Sequence, residues 1–355
     1  MATIGDQQLT LADDFAEALD GIGDRSTANT RKALLAAMRA TLRDLRRWYA
    51  DAVNPQLPAE RSADGVTRRP RSYSIAESSR KLTELQKIAQ AFLGPKQLQA
   101  LSQRYAADLE AATALGGELE RQLIELTAPN TVAASPFVGP NREAIKAAAN
   151  TTSAYIRAEV ESFRDRLGQI VTSGVSRGQG FRAIERDVRV ALQGAKDPQG
   201  LTRSMGLLQR AELIARSELS NAYVNAQKTA AERNGYEYAR WIATKSENTC
   251  AYCVSRHGNI YLLSELVGTQ HPRCKCSIAA VSSEAVEEKD PKARAQMLRS
   301  AYWEQSQEDV AKAFARGKGW PFERASKVLE EHLRKPSPSE KRQFPGIKTA
   351  ALPVV

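Results

Sequence analysis

At 355 residues, with 51 Lys and Arg against 41 Asp and Glu and a formal net charge of +10, the chain has room for two or three domains and cannot depend on one small staple for its stability. The positive surplus favours nucleic acid or an acidic protein surface as partner, yet it is spread so widely that a soluble helical protein of mixed surface charge would show the same balance. The first eight residues lack the basic start and apolar stretch of a secretory signal, and no later run is long enough to span a bilayer, so a soluble protein made in a cytosol is expected, without a membrane partner.

From Arg31 to about Val53, Leu34, Met38, Leu42, Leu45 and Tyr49 recur at three- and four-residue steps with Arg39, Arg43, Arg46 and Arg47 between them. This predicts an amphipathic helix with a basic rim, read first as a solvated face, with contact to DNA phosphates as the alternative. Asn54 to Ser72, rich in Pro and Arg, reads as a loop. A second helical block places Leu82, Leu85, Ile88 and Phe92 on one stripe and breaks at Gly94-Pro95. It resumes through Leu98, Leu101, Tyr105 and Leu109, and again after Gly116-Gly117 through Leu119, Leu123 and Leu126. Thr127 to Pro140 is the clearest boundary.

Beyond it, residues 141–174 predict a helix with Ile145, Tyr155, Ile156, Val160, Phe163, Leu167 and Ile170 as its buried side, joined through Ser176–Phe181 to a helix carrying Ile184, Val188 and Leu192. Gly178 and Gly180 lack the Lys-Ser/Thr of a phosphate loop and read as a turn. A helix from Met205 to Arg233 ends at Asn234-Gly235. Strands are expected near Tyr236–Ala243, Ile260–Leu263 and Ser277–Val281. A helix over 291–315 and a shorter one after Trp320-Pro321 follow, and the basic, proline-bearing tail from Lys335 reads as extended. The expected fold is mainly α, with long helices and helical hairpins and a small zinc-stapled β-element. Its parts are an N-terminal helical region (1–127), a linker (128–140), a central region (141–285), C-terminal helices (286–334) and the tail (335–355).

All four cysteines fall in one short stretch, Cys250-Ala-Tyr-Cys253 and then His271-Pro-Arg-Cys274-Lys-Cys276. Two thiolates from one tight turn and a second pair returning after a loop can complete a tetrahedron of N and S ligands around Zn2+, and a site so filled holds structure rather than activating water. Cys250, Cys253, His271 and Cys274 form the favoured set, because each pair has the same two-residue spacing. Cys276 is the alternative ligand, since Cys274 and Cys276, locally extended, share a face. Both sets stay open. His257, in the loop after the first pair, is a third possible ligand and reads first as a polar loop residue. Disulfides suit small secreted domains rather than a chain of this length, so metal is preferred.

The succession Arg210-Ala-Glu-Leu-Ile-Ala-Arg216-Ser-Glu218, Gly235, Trp241, Thr249-Cys-Ala-Tyr-Cys253, Gly258 and His271-Pro-Arg-Cys-Lys-Cys276 resembles the phage Mu F-type minor head protein family, also called head morphogenesis proteins. The likeness spans about 130 residues from near Asn150 to Cys276. Ser246-Glu-Asn248 and Lys275 depart from the family's usual residues without touching a proposed ligand. The resemblance implies that 141–285 is a head morphogenesis domain and that the protein is a minor capsid component of a tailed phage or prophage. It would lie inside the head, associated with the portal protein ring and other head or neck proteins, and act in head assembly and DNA packaging or delivery, with its basic surface beside the packaged DNA.

Arg216 and Glu218 are candidates for a structural charge network. Two positions apart on a helix they do not face each other, so each is expected to pair with a different element. No catalytic residue is identified. The competing readings are a zinc-containing DNA-binding protein, in which the basic surface does the main work, and a nuclease. The chain has only three histidines and no His-x-Glu ahead of its Cys-x2-Cys pair, which leaves a zinc deaminase without its general acid, and the expected protein is not an enzyme.

Overall fold

The computed structural model describes residues 4–52, 75–127, 142–177, 179–196, 202–247, 249–266, 274–298 and 300–334. Helices dominate, as the periodicity requires. In chain order they are α1 (Ile4–Ala52), α2 (Ile75–Ala91), α3 (Pro95–Thr127), α4 (Arg142–Ser176) and α5 (Phe181–Gln193). A short hairpin of β1 (Ala195–Lys196) and β2 (Thr202–Ser204) leads to α6 (Leu207–Arg233) and β3 (Tyr238–Ile242). Then come α7 (Ala251–Arg256), β4 (Ile260–Leu262), β5 (Ser277–Val281), α8 (Ser283–Glu287), α9 (Pro291–Leu298), α10 (Ser300–Lys318) and α11 (Phe322–Arg334). Among the described residues no helix is long and apolar enough to cross a membrane.

Three helices run past the limits that apolar spacing sets. The helix expected from Arg31 begins at Ile4, because its buried stripe continues through Gln8, Ala12, Ala16, Leu19, Ile22, Ser26 and Thr30, where small and polar residues interrupt the apolar pattern. α3 passes through Gly116-Gly117 without a break. A Cβ on Gly116 would overlap the backbone carbonyl of Tyr223, so this glycine permits the close approach of α3 to α6 rather than ending a helix. α4 runs two residues beyond Gly174, and Tyr155, expected on its buried side, is 52% exposed. The helix expected over 291–315 is instead divided between α9 and α10.

The chain forms two compact units, one from Met1–Arg25, Ala106–Ala148 and Ala215–Val355, the other from Ser26–Tyr105 and Ala149–Ile214. The second is all but helical. Its core holds Leu34, Met38, Leu45, Leu85, Phe92, Phe163, Leu167 and Val188, with the Phe92 and Phe163 rings 4.8 Å apart between centroids. α2 ends where Leu93 takes a positive φ of 51°, and the Arg164 guanidinium donates to the carbonyls of Phe92 (3.0 and 2.9 Å) and Leu93 (3.0 Å). A charged donor thus satisfies carbonyls that the helix end leaves open.

The first unit contains an antiparallel sheet in the order β4-β3-β5. Ala239 pairs with Tyr261 on one side and Ala280 on the other, and Trp241 pairs with Ile278. Every residue of β3 after Tyr238 is buried. Trp241, Tyr252, Tyr261, Ile278, Val310 and Phe314 pack into one cluster with Cys253, Cys274 and Cys276.

Candidate metal centre

Four cysteines arrive from two directions. Cys250 is the N-cap of the one-and-a-half-turn α7, and its Sγ accepts a hydrogen bond from Cys253 N at 3.4 Å. Cys253 follows on the helix, while Cys274 and Cys276 enter on the extended segment leading into β5. Alternate residues of extended chain face the same way, so both thiols of the second pair turn inward. Cys253, Cys274 and Cys276 are buried, and their Sγ atoms all lie within 4.8 Å of one another. Cys253 Sγ and Cys274 Sγ are 3.6 Å apart, and none of the four cysteines is in a disulfide.

That spacing suits a metal ion. Sulfur ligands about 2.3 Å from a tetrahedral ion sit about 3.8 Å from each other, whereas a disulfide would draw them to about 2 Å. Burial, with hydrogen bonds from Cys250, Cys274 and Cys276, pushes the Cys253 thiol well above its ordinary range. Buried thiols crowded in this way ionise readily only when a cation shares the space. Cys250, half-buried, adds a fourth sulfur beside Cys253. His271 lies outside the described residues.

The surrounding side chains hold the two approaches in register. Ser220 of α6 donates to Cys274 O at 2.6 Å, and one turn pair further along the same helix Gln227 brackets Ile278, accepting from its N at 3.3 Å and donating to its O at 3.5 Å. Thr244, after β3, donates to Lys275 O at 3.0 Å. Lys228 donates to Leu266 O at 3.0 Å. These bonds fix the backbone on both sides of the thiols, and oriented backbone is what a metal site needs from its outer shell.

His257 is no ligand. It is fully buried, its Nδ1 accepts from Ala243 N at 3.0 Å and its Nε2 bonds Ser306 Oγ at 2.8 Å. Burial, followed by the charges of Arg240 and Lys245, pushes its pKa down to about 3. A neutral imidazole here links β3, the turn after α7 and α10.

Arg216 and Glu218 attach to different partners. Arg216 pairs with Asp20 at 3.8 Å and with Asp24, both on α1. Asp20 also pairs with Lys275, the residue between Cys274 and Cys276, so the Arg216 network reaches the cysteine segment itself. Glu218, half-buried, is raised by burial against a hydrogen bond from Asn221. Ser220, Gln227, Glu120 and Asp20 escaped the sequence reading. The available signal for the first two was polar residues one and two helical turns apart on the otherwise buried side of α6.

Residues 165–279 match a family model described as Phage Mu protein F like protein. Over that segment the chain is similar to the phage Mu F-like family. The match runs from α4 to β5 and takes in all four cysteines and the whole of α6, so the resemblance carried by the Arg216 helix and the cysteine pairs holds in the segment that builds the thiol cluster. No curated protein and no solved structure matches the chain.

Proposed function

We propose that this protein is a minor head component of a tailed phage or prophage, with a structural role in head assembly, and that a zinc ion at Cys250, Cys253, Cys274 and Cys276 locks its Mu F-like segment. The observation that carries this reading is the convergence of buried, unbridged thiols inside the matched residues. Four sulfurs would fill a tetrahedron, with His271 the competing donor if Cys276 stands outside it. Either way the ion would have no position for substrate or reactive water, and the contribution of the site is mechanical.

The chain's own residues translate that clamp into shape. α7 is short, and its thiols face those of the segment leading into β5, while Ser220 fastens that segment and Gln227 fastens β5 itself to α6. Binding an ion therefore fixes the α7 end of the sheet against the long helix. A rigid junction of this kind suits a protein that must present a fixed surface to a symmetric assembly. The partner in this reading is the portal ring, with a virion location inside the head and a part in DNA packaging or delivery. The test is co-expression with the portal protein of the same phage, without DNA, followed by affinity capture through the portal. Retention of this chain, lost on Cys253→Ser, is expected. A chain that never co-purifies with the ring would overturn the portal assignment.

A further inference from the structure

Although the positive surplus is spread along the chain, part of it is lined up on one pair of helices in the second unit. From Arg39 to its end α1 carries four arginines against Asp44 and Asp51, and residues 177–193 carry another four against Glu185 and Asp187. Arg39, Arg43 and Arg46 stand at i, i+4 and i+7 with Arg47 beside them, and Arg182, Arg186 and Arg189 repeat the spacing on α5. Each row thus shares one face of its helix, and all seven side chains are exposed. We propose that these two arginine rows form a docking surface for the phosphate backbone of double-stranded DNA.

The rows lie side by side. The Arg46 guanidinium sits 5.4 Å from the Phe181 ring centroid and 3.9 Å from Glu185, and the Tyr49 hydroxyl, further along α1, donates to Gln179 O at 2.9 Å. Later residues of α1 meet earlier residues of α5, so the helices run antiparallel and the stretch of α1 that bears Arg39 and Arg43 runs in the direction of the Arg189 end of α5. The carboxylates do not neutralise this face. Asp44 reaches Arg47 at 4.0 Å, Asp187 reaches Arg186 at 3.6 Å and Glu185 is shared between Arg189 and Arg46. Among the described residues Arg39, Arg43 and Arg182 have no ion-pair partner.

The chemistry favours a phosphate polymer over an acidic protein. Every cation in the two rows is arginine, whose planar fork matches phosphate oxygens and is the more weakly hydrated of the two basic side chains. Val190 is the one exposed large hydrophobic residue on either helix segment among the described residues, which leaves no apolar centre for a protein interface. A row from Arg39 to Arg47 is about 12 Å long at helical rise, and a duplex presents a phosphate charge about every 1.7 Å of its axis, so several fall opposite each row. This surface stands without the head-protein reading, because it lies wholly in the unit that lacks the cysteines.

The test measures fluorescence anisotropy of a random-sequence duplex of about 20 base pairs with the full-length, metal-replete protein, from about 50 to about 200 mM salt. The native chain is expected to bind with micromolar affinity and a steep salt dependence. Replacing Arg39, Arg43, Arg182 and Arg186 by Ala removes exposed side chains only, so helix content should stay unchanged while affinity falls at least tenfold and the log–log salt slope loses about three to four. A control with Lys87, Lys289, Lys292 and Lys327, all exposed, replaced by Ala loses the same charge and should keep most of the slope. Equal loss in both variants, no binding by the native chain, or competition by poly-glutamate as strong as by DNA would each overturn the proposal. None of these results bears on capture by the portal ring.

Discussion

Glu120 offers the sharpest physical test of the first unit. It is completely buried on α3, its Oε1 accepts from Ala280 N of β5 at 2.9 Å, and its Oε2 has no partner among the described residues. Burial outweighs that backbone hydrogen bond and raises the carboxyl pKa from 4.5 to about 8. The folded chain therefore keeps a proton that the unfolded chain releases above its ordinary pKa. Stability from this group is fully present below pH 4.5 and is lost as pH rises toward 8, at about 1.4 kcal/mol per pH unit. By about pH 7 the loss is roughly 3 kcal/mol. Glu120→Gln keeps an oxygen for Ala280 N in the same shape and cannot ionise. Urea unfolding followed by circular dichroism across this pH range should show the variant gaining on the native chain as pH rises, by roughly 3 kcal/mol near neutrality. Parallel pH profiles for the two proteins would refute the reasoning, since they would mean that Glu120 titrates alike folded and unfolded.

His257 should act in the opposite direction. Its folded pKa of about 3 lies below the ordinary 6.5, so its contribution is complete above 6.5 and is lost as pH falls toward 3. In the same urea series His257→Gln should remove the acid-side slope and cost about 1 kcal/mol at neutral pH for the altered hydrogen bonds; an unchanged acid limb would contradict this. Gly116→Ala should destabilise by several kcal/mol and lower the thermal midpoint, because its Cβ meets backbone that cannot rotate away. Gly168→Ala, on α4 with open space around it, should instead gain up to about 1 kcal/mol from helix propensity. Cys253→Ser and Cys274→Ser should lose the ion and the order of β3, α7, β4 and β5 while the helices of the second unit persist. Hydrogen exchange by mass spectrometry reads this directly, and equal protection in native and variant chains would speak against the clamp.

Much of this organisation is written in local patterns. The leucine and aromatic stripes of α2, α3 and α4 and the turn into α5 follow from spacing, because each helix buries an apolar face at a regular period, while the three strands around the cysteines follow from aromatic and β-branched composition. The N-terminal half of α1 was hidden, since Gln8, Ser26 and Thr30 interrupt its buried stripe and what buries them comes from elsewhere in the chain. Thr30, for example, bonds Tyr105 at 2.5 Å. The two glycines in α3 mimic a break for a similar reason, as only the nearness of Tyr223 explains Gly116. Each compact unit is assembled from separate stretches of chain, a pairing that local sequence does not encode. In the site, the cysteines announced themselves by type and spacing. Ser220, Gln227 and Asp20 carry no such signature, because what matters is which backbone atom or charge they meet after folding.

The central claim is that the four sulfurs clamp one structural ion. Zinc analysis of protein purified without chelator, paired with X-ray absorption at the zinc edge, tests it most directly. One zinc per chain is expected, with sulfur neighbours at about 2.3 Å and no water in the coordination shell. Metal-free protein with its fold intact and all four thiols open to a thiol reagent, or a zinc carrying bound water, would contradict it.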